Sequence, residues 1–169
     1  MILPSDFNHS QRAAAAGDYF RQGYNCAQSV VLSFADILEA NGLAARNLLA
    51  TISAGFGGGM GRMREVCGAF SGCTMMAGFI SPADDPSKMD SRKANYALVQ
   101  EFAVAFKESN GGSIICRELL GLHTKAQESP APSERTPEYY HKRPCSAIVE
   151  QAALIVAEKL EELYGETKA

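Results

Sequence analysis

Apolar residues recur at helical spacing along most of this chain. Between residues 26 and 40 they occupy positions 27, 30, 31, 34, 37 and 38, which lie along one face of a helix. No segment alternates apolar and polar residues in the way that a half-buried strand does. The pattern therefore predicts helix throughout. The predicted helices cover residues 11–21, 26–40, 44–54, 67–80, about 87–108, 113–120 and 144–164.

Two of these helices carry an apolar stripe that should face the core. The stripes consist of Tyr96, Leu98, Val99, Phe102, Ala103 and Phe106, and of Val149, Ala153, Val156, Leu160 and Leu163. The segment 67–80 has almost no charge, so it is predicted to lie at the centre of the bundle.

Capping residues, glycines and prolines mark the helix ends. Asn8 or Ser10 can cap the first helix, and Asn41-Gly42 stops the second. Residues 124–137 contain three prolines and are predicted to form a loop. Short helices joined by such breaks predict an all-α fold. We expect one domain over residues 1–169, an irregular bundle of about six to seven helices with glycine-rich breaks.

Composition limits the partners and the cellular location that we expect for the protein. A chain of 169 residues can bury a core of its own, and a net charge of −3 gives no reason to expect nucleic acid as a partner. No apolar run approaches the ~20 residues of a membrane helix, and the first residues do not resemble a signal peptide. The expectation is a cytoplasmic protein with no membrane partner. The sequence is compatible with a homodimer, and no motif identifies a redox partner.

Four of the five cysteines stand where the pattern starts a helix. A helix N-terminus carries partial positive charge and unpaired N–H groups, so it favours a thiolate over a thiol. Reduced cysteines in a cytoplasmic protein more often serve metal or redox chemistry than structural disulfides, and an odd count argues against full pairing. These four are far apart in sequence, so a shared site requires tertiary packing. They are Cys26, Cys67, Cys116 and Cys145.

The fifth cysteine and the glycine run can also be explained by structure alone, without a chemical role. Cys73 lies six residues after Cys67, on another helix face, and is predicted to be a core residue. The glycine run 55–61 lacks the Lys-Ser/Thr ending of a phosphate-binding loop. Two interpretations are left: a tight turn, or a loop that forms a cradle around the Cys67 sulfur. In the cradle, backbone N–H groups face the sulfur and a cluster or substrate approaches closely. The candidate cofactor-binding residues are Gly58, Gly59, Gly61, Arg62 and Gly68.

Charged residues flank the cysteines. Arg62, Arg64 and Arg143 can each stabilise a thiolate or be a solvated surface charge. His141 precedes Cys145 by four residues and is either a base, a ligand or an ordinary loop histidine. No Ser-His-Asp, H-E-x-x-H or paired-carboxylate spacing points to a hydrolase.

The cysteines and their neighbours also resemble a known family. The residues that carry the likeness are Cys26, Gly57-Gly58-Gly59-Met60-Gly61-Arg62, Cys67-Gly68-Ala69-Phe70-Ser71-Gly72, Cys116-Arg117 and Arg143-Pro144-Cys145. The pattern is similar to that of the redox-active protein family named after a cysteine, a Gly-Cys-Ala-x-x-Gly block and two further cysteines. One departure is Cys67-Gly68-Ala69, where the motif places glycine before cysteine. The resemblance implies a helical fold and a bacterial or archaeal origin, and gives no reaction.

Three functions follow as hypotheses. In the first, the four cysteines bind an iron–sulfur cluster, or with less support zinc, for electron transfer. In the second, the protein is a cofactor-free thiol–disulfide oxidoreductase in which two of the four form a reversible disulfide. In the third, the cysteines only pack and the protein is an interaction module.

Overall fold

The computed structural model describes residues 1–122 and 128–165, and within them the protein is all-α, as predicted. A 3₁₀ turn, Ala54–Phe56, precedes the glycine run, and an isolated antiparallel bridge joins Val66 to Ile115. The helices are α1 His9–Arg21, α2 Cys26–Leu32, α3 Ala35–Ala40, α4 Arg46–Ile52, α5 Gly68–Ile80, α6 Met89–Ser109, α7 Cys116–Leu119, α8 Pro137–Lys142 and α9 Cys145–Tyr164.

The helix predicted over residues 26–40 is divided into α2 and α3. The break falls at Ser33, whose hydroxyl donates to the Val30 carbonyl at 2.7 Å, and at Phe34, which leaves helical geometry with φ −117° and ψ 7°. A serine side chain that bonds to the preceding turn competes with the backbone ladder and bends a helix.

The short helix α8 is absent from the sequence-based prediction. Thr136 caps it by accepting from the Tyr139 N–H, and Pro137 occupies its first turn. A threonine followed by proline is a recognised helix start, so the sequence does contain a signal for α8. Residues 124–127 of the predicted loop lie outside the described residues, and 128–136 contain no helix or strand.

The core forms where α9 packs against α1, α2, α5 and α6. Helix α5 lies within it, as its lack of charge predicted. Gly72 allows α2 to come close, because a Cβ there would lie 2.7 Å from the Val30 Cβ. This close approach brings the start of α2, with Cys26, near the start of α5, with Cys67.

The predicted apolar stripes are only partly correct. Leu98, Phe102 and Phe106 are buried, but Tyr96 is 59% exposed. Tyr96 is two residues from Leu98 and therefore points away from the core. Asn95 faces α5 instead and donates to the Ala77 and Ser81 carbonyls.

The last helix shows a similar error at its end. Its predicted stripe is buried through Leu160, whereas Leu163 is 51% exposed. The neighbouring Tyr164 makes the contact with α5 there, since its hydroxyl donates to the Ile80 carbonyl at 3.0 Å. No described helix has the length and apolar character that crossing a membrane requires.

Candidate functional site

The four cysteines predicted to share a site line one cavity of about 330 Å³. Cys26, Cys116 and Cys145 are the first residues of α2, α7 and α9, and Cys67 directly precedes α5. The predicted convergence of these four side chains is therefore confirmed. Cys73 is fully buried elsewhere on α5, and its thiol donates to the Ala152 carbonyl at 3.5 Å.

Backbone pairing holds Cys67 and Cys116 beside each other. The Cys67 N–H donates to the Ile114 carbonyl at 2.8 Å, and the Cys116 N–H donates to the Glu65 carbonyl at 2.7 Å. These bonds flank the bridge between Val66 and Ile115. Two cysteines separated by forty-eight intervening residues are thus fixed by a short, strand-like pairing that the helical pattern does not reveal.

A capping box positions Cys26. The Asn25 side chain accepts from the Gln28 N–H, and the Gln28 side chain accepts from the Asn25 N–H. The same asparagine donates to the Ala54 carbonyl at 2.8 Å. The start of α2 is therefore tied to the turn that leads into the glycine run.

The glycine run forms a left-handed loop. Positive φ angles occur at Gly58, Gly59 and Gly61, and also at Met60, Arg62 and Arg64. A non-glycine residue in this region costs ~1–2 kcal/mol, and such strain concentrates at functional sites. The strained loop is adjacent to the cysteines, which supports a role for it in the site.

The loop does not present all its N–H groups to Cys67, as the cradle hypothesis expects. The Gly61 N–H donates to the Gly55 carbonyl at 2.8 Å, within the loop itself. The N–H groups that lower the pKa of Cys67 belong to Phe70 and Ala69, in the first turn of α5. The predicted donor to this sulfur is therefore corrected from the glycine loop to the helix.

The glycines instead provide space. Gly58, Gly61 and Gly68 line the cavity together with Arg62. A Cβ on Gly68 would lie 3.0 Å from the Cys26 Cβ. Gly59 is not among the lining residues, and a Cβ on it would lie 2.7 Å from the Cys116 Cβ.

Arginines line the same cavity. Arg64 is 7% exposed, and its Nη1 lies 3.9 Å from the Cys116 Sγ. Its Nε donates to Glu128 Oε1 at 2.7 Å, while Arg62 Nη2 donates to Glu128 Oε2 at 2.9 Å. Arg64 is therefore part of the site and not a solvated surface charge.

Two further arginines face the cavity from the segment before α9. Arg143 lies over the Tyr139 ring, with its Cζ 4.9 Å from the ring centroid. Arg135 also lines the cavity, and nothing in its sequence spacing indicated that it would. His141 is exposed and is not among the lining residues.

The expectation that every helix-start cysteine favours the thiolate is wrong for three of the four. Burial raises the pKa of Cys67 to about 12 and raises the pKa of Cys116 despite the nearby Arg64. The pKa of Cys26 is raised first by its hydrogen bond to Cys145 and then by burial. Desolvation of a thiolate outweighs the helix terminus at these positions.

Among the cysteines, only Cys145 has a lowered pKa. The largest cause is the hydrogen bond that the Cys26 thiol donates to the Cys145 sulfur, and burial opposes it. The positive charges of Arg143, Arg135 and Arg64 lower the pKa further. The site therefore contains a pair of interacting cysteines with opposite pKa shifts, in which Cys145 loses its proton more readily than Cys26.

Alkylation of Cys145 is expected to reach half its maximal rate at a pH below the ~8.5 of a free thiol. Its thiolate reacts, so the rate rises with pH and levels off above a lowered pKa. Arg143→Ala should raise that pKa and slow alkylation at pH 7 by up to about tenfold, the factor that one pKa unit gives. The check is the alkylation rate against pH, resolved by peptide mass.

Lys142→Ala is the matched control, because Lys142 is exposed, pairs with Glu138 and does not line the cavity. It should leave the profile unchanged. A Cys145 midpoint at or above ~8.5 in the wild type would show that the site does not activate this thiol.

One comparison with known proteins finds a match, and the matched range includes all four cysteines of the site. A family model described as "Putative redox-active protein (C_GCAxxG_C_C)" matches residues 24–159. No curated protein and no solved structure matches the chain.

Proposed function

The chain belongs to the C_GCAxxG_C_C family, and from that membership and its cysteine geometry we propose that it is a thiol–disulfide redox protein. The observation that carries the proposal is that Cys26 and Cys145 line one cavity and that each has the largest influence on the pKa of the other. Two neighbouring thiols can exchange two electrons by forming and breaking one disulfide.

The two cysteines take different roles. Cys145 is the nucleophile, because it is the one held as a thiolate beside arginines. Cys26 resolves the mixed disulfide, because it lines the same cavity and has the largest influence on the pKa of Cys145. Cys67 and Cys116 stay protonated by burial and surround the pair.

A second candidate is an iron–sulfur electron-transfer protein. It is favoured by the fact that all four cysteines, and not only two, line the cavity. Cys26, Cys67, Cys116 and Cys145 would hold the cluster, which supplies one-electron transfer when bound. The lining arginines would offset the negative charge of four thiolates.

A single metal ion fits the donor set less well. Among residues 1–122 and 128–165, no three His, Cys, Asp or Glu side chains are grouped in the way that one ion requires. A zinc ion needs its ligands at about 2.0–2.3 Å from one centre. A cluster distributes its cysteines over more than one iron, so it is the better alternative to the disulfide.

The two candidates are separated by purifying the protein without oxygen. The disulfide proposal expects a colourless protein that loses two thiols on mild oxidation and regains them with a reductant. Peptide masses should then show Cys26 linked to Cys145. Visible charge-transfer absorption with stoichiometric iron, and no recoverable loss of two thiols, would overturn the proposal in favour of the cluster.

A further inference from the structure

Arg135 has a buried donor with no partner in the described part of the chain. Its Nη1 is shielded from solvent and makes no hydrogen bond there, whereas its Nη2 donates to the Tyr24 carbonyl at 3.4 Å. The guanidinium lies over aromatic rings, with its Cζ 4.4 Å from the Phe20 centroid and 4.9 Å from that of Tyr139. A charged donor that loses water and gains no acceptor leaves the guanidinium charge uncompensated, and the part of Arg135 that lines the cavity can offer that charge to an anionic group there.

The positive charge of the cavity is unevenly neutralised. Four lining arginines face it, and Glu128 pairs with Arg62 and Arg64. Arg135 and Arg143 contact aromatic rings and no carboxylate within residues 1–122 and 128–165. Both cations act on Cys145, so the unneutralised charge lies on the side of the cavity where the nucleophile is.

The size of the cavity limits what it can accept. A volume of about 330 Å³ is at the small end of ligand pockets, which span ~300–1,000 Å³. Pro130, Pro132 and Ser133 also line it. Arg62 holds this segment through the Ser129 carbonyl at 2.9 Å and the Ser133 hydroxyl at 3.2 Å. A small molecule therefore fits the site better than a protein substrate does.

We propose that the cavity binds a low-molecular-weight disulfide that carries carboxylate groups. Arg135 and Arg143 donate to a carboxylate and place the substrate sulfur at Cys145. This inference rests on the proposed thiol–disulfide function and adds the substrate class, which neither the family nor the cysteine pair defines.

The electrons balance in two exchanges. The Cys145 thiolate attacks one substrate sulfur, so the substrate S–S bond breaks, a bond from Cys145 to that sulfur forms, and the other half leaves as a thiolate. Cys26 then attacks Cys145, its proton goes to the second leaving sulfur, and the Cys26–Cys145 disulfide forms. The substrate disulfide is reduced to two thiol products by two electrons, and the protein dithiol is oxidised.

The test compares three disulfides as oxidants of the reduced protein. 3,3′-Dithiodipropionate carries two carboxylates and matches the other two in size, bis(2-hydroxyethyl) disulfide is neutral and cystamine is cationic. Wild type should react with 3,3′-dithiodipropionate at least about tenfold faster than with the other two, after correction for their intrinsic reactivity, because a charge-assisted bond contributes on that scale. Arg135→Gln should slow both the carboxylate and the neutral reaction, because Arg135 also acts on Cys145, but it should remove the preference, so that the ratio of the two rates falls to about one, with Lys142→Gln as the unaffected control.

Equal rates for the charged and neutral disulfides, or equal losses for both in Arg135→Gln, would overturn the substrate class and leave the dithiol function intact. Failure of every oxidant to form the internal disulfide would overturn the proposed function. Calorimetry on Cys145→Ser gives an independent readout, since this variant cannot react. It should bind 3,3′-dithiodipropionate, and the added Arg135→Gln should abolish that binding. Absence of binding in Cys145→Ser itself would also overturn the inference.

Discussion

Cys145→Ser is expected to abolish the reversible oxidation of the protein, and Cys26→Ser is expected to trap it as a mixed disulfide. A hydroxyl at position 145 cannot attack a disulfide sulfur, because the reaction requires a thiolate. Without Cys26, the bond from Cys145 to the oxidant forms and stays unresolved. Intact mass and thiol titration after treatment with bis(2-hydroxyethyl) disulfide distinguish the two results.

Cys73→Ser is the matched control for these variants. Cys73 lies outside the cavity, and a hydroxyl there can still donate to the Ala152 carbonyl. This variant should lose and regain two thiols as the wild type does, and so should Cys67→Ser. If Cys145→Ser still loses two thiols reversibly, another cysteine pair carries the chemistry. Loss of oxidation in Cys67→Ser together with lost iron would favour the cluster.

Gly59→Ala is expected to lower the free energy of unfolding by about 2–5 kcal/mol. Gly59 has φ +73°, where an alanine is strained, and its new Cβ would lie 2.7 Å from the Cys116 Cβ and 2.8 Å from the Glu65 nitrogen. One of these contacts is with backbone, so the clash cannot be relieved by a side-chain rotation. Urea unfolding followed by circular dichroism measures the change.

Gly55→Ala supplies the comparison from the same run of glycines. Its φ is not positive, and a Cβ there would meet nothing within 4 Å. We expect a change within about 0.5 kcal/mol, as for an ordinary surface substitution. Equal losses for the two variants would mean that loop flexibility, and not the close approach to Cys116, explains the glycine at position 59.

Local signals in the sequence predicted most of the helices and the position of the cysteines, but the prediction missed α8 and the break between α2 and α3. Of the two predicted capping residues, Asn8 is the one that caps α1. The helix starts at the cysteines were predicted from the glycine, asparagine or proline that precedes each of them. The convergence of these starts also followed, since four helix termini that carry potential thiolates are best explained by one site. The charge-free pattern of α5 correctly placed that helix in the core.

What the sequence could not provide depends on long-range packing. The pairing of Cys67 with Cys116 rests on bonds between backbone groups about fifty residues apart, and no side-chain pattern encodes them. The pKa order of the thiols depends on how deeply each is buried and on which sulfur it meets. Left-handed geometry at Met60, Arg62 and Arg64 is likewise unexpected, because non-glycine residues rarely adopt it.

Because Cys73 is buried, the rate at which its thiol is modified reports unfolding of the protein. Its thiol is 0% exposed between α5 and α9, and burial raises its pKa, so reagents in water have no route to it while the core is closed. Cys73 is therefore the last thiol to be modified, and it reacts only when the molecule opens. The rate of that last modification reports the population of open molecules, without any added label.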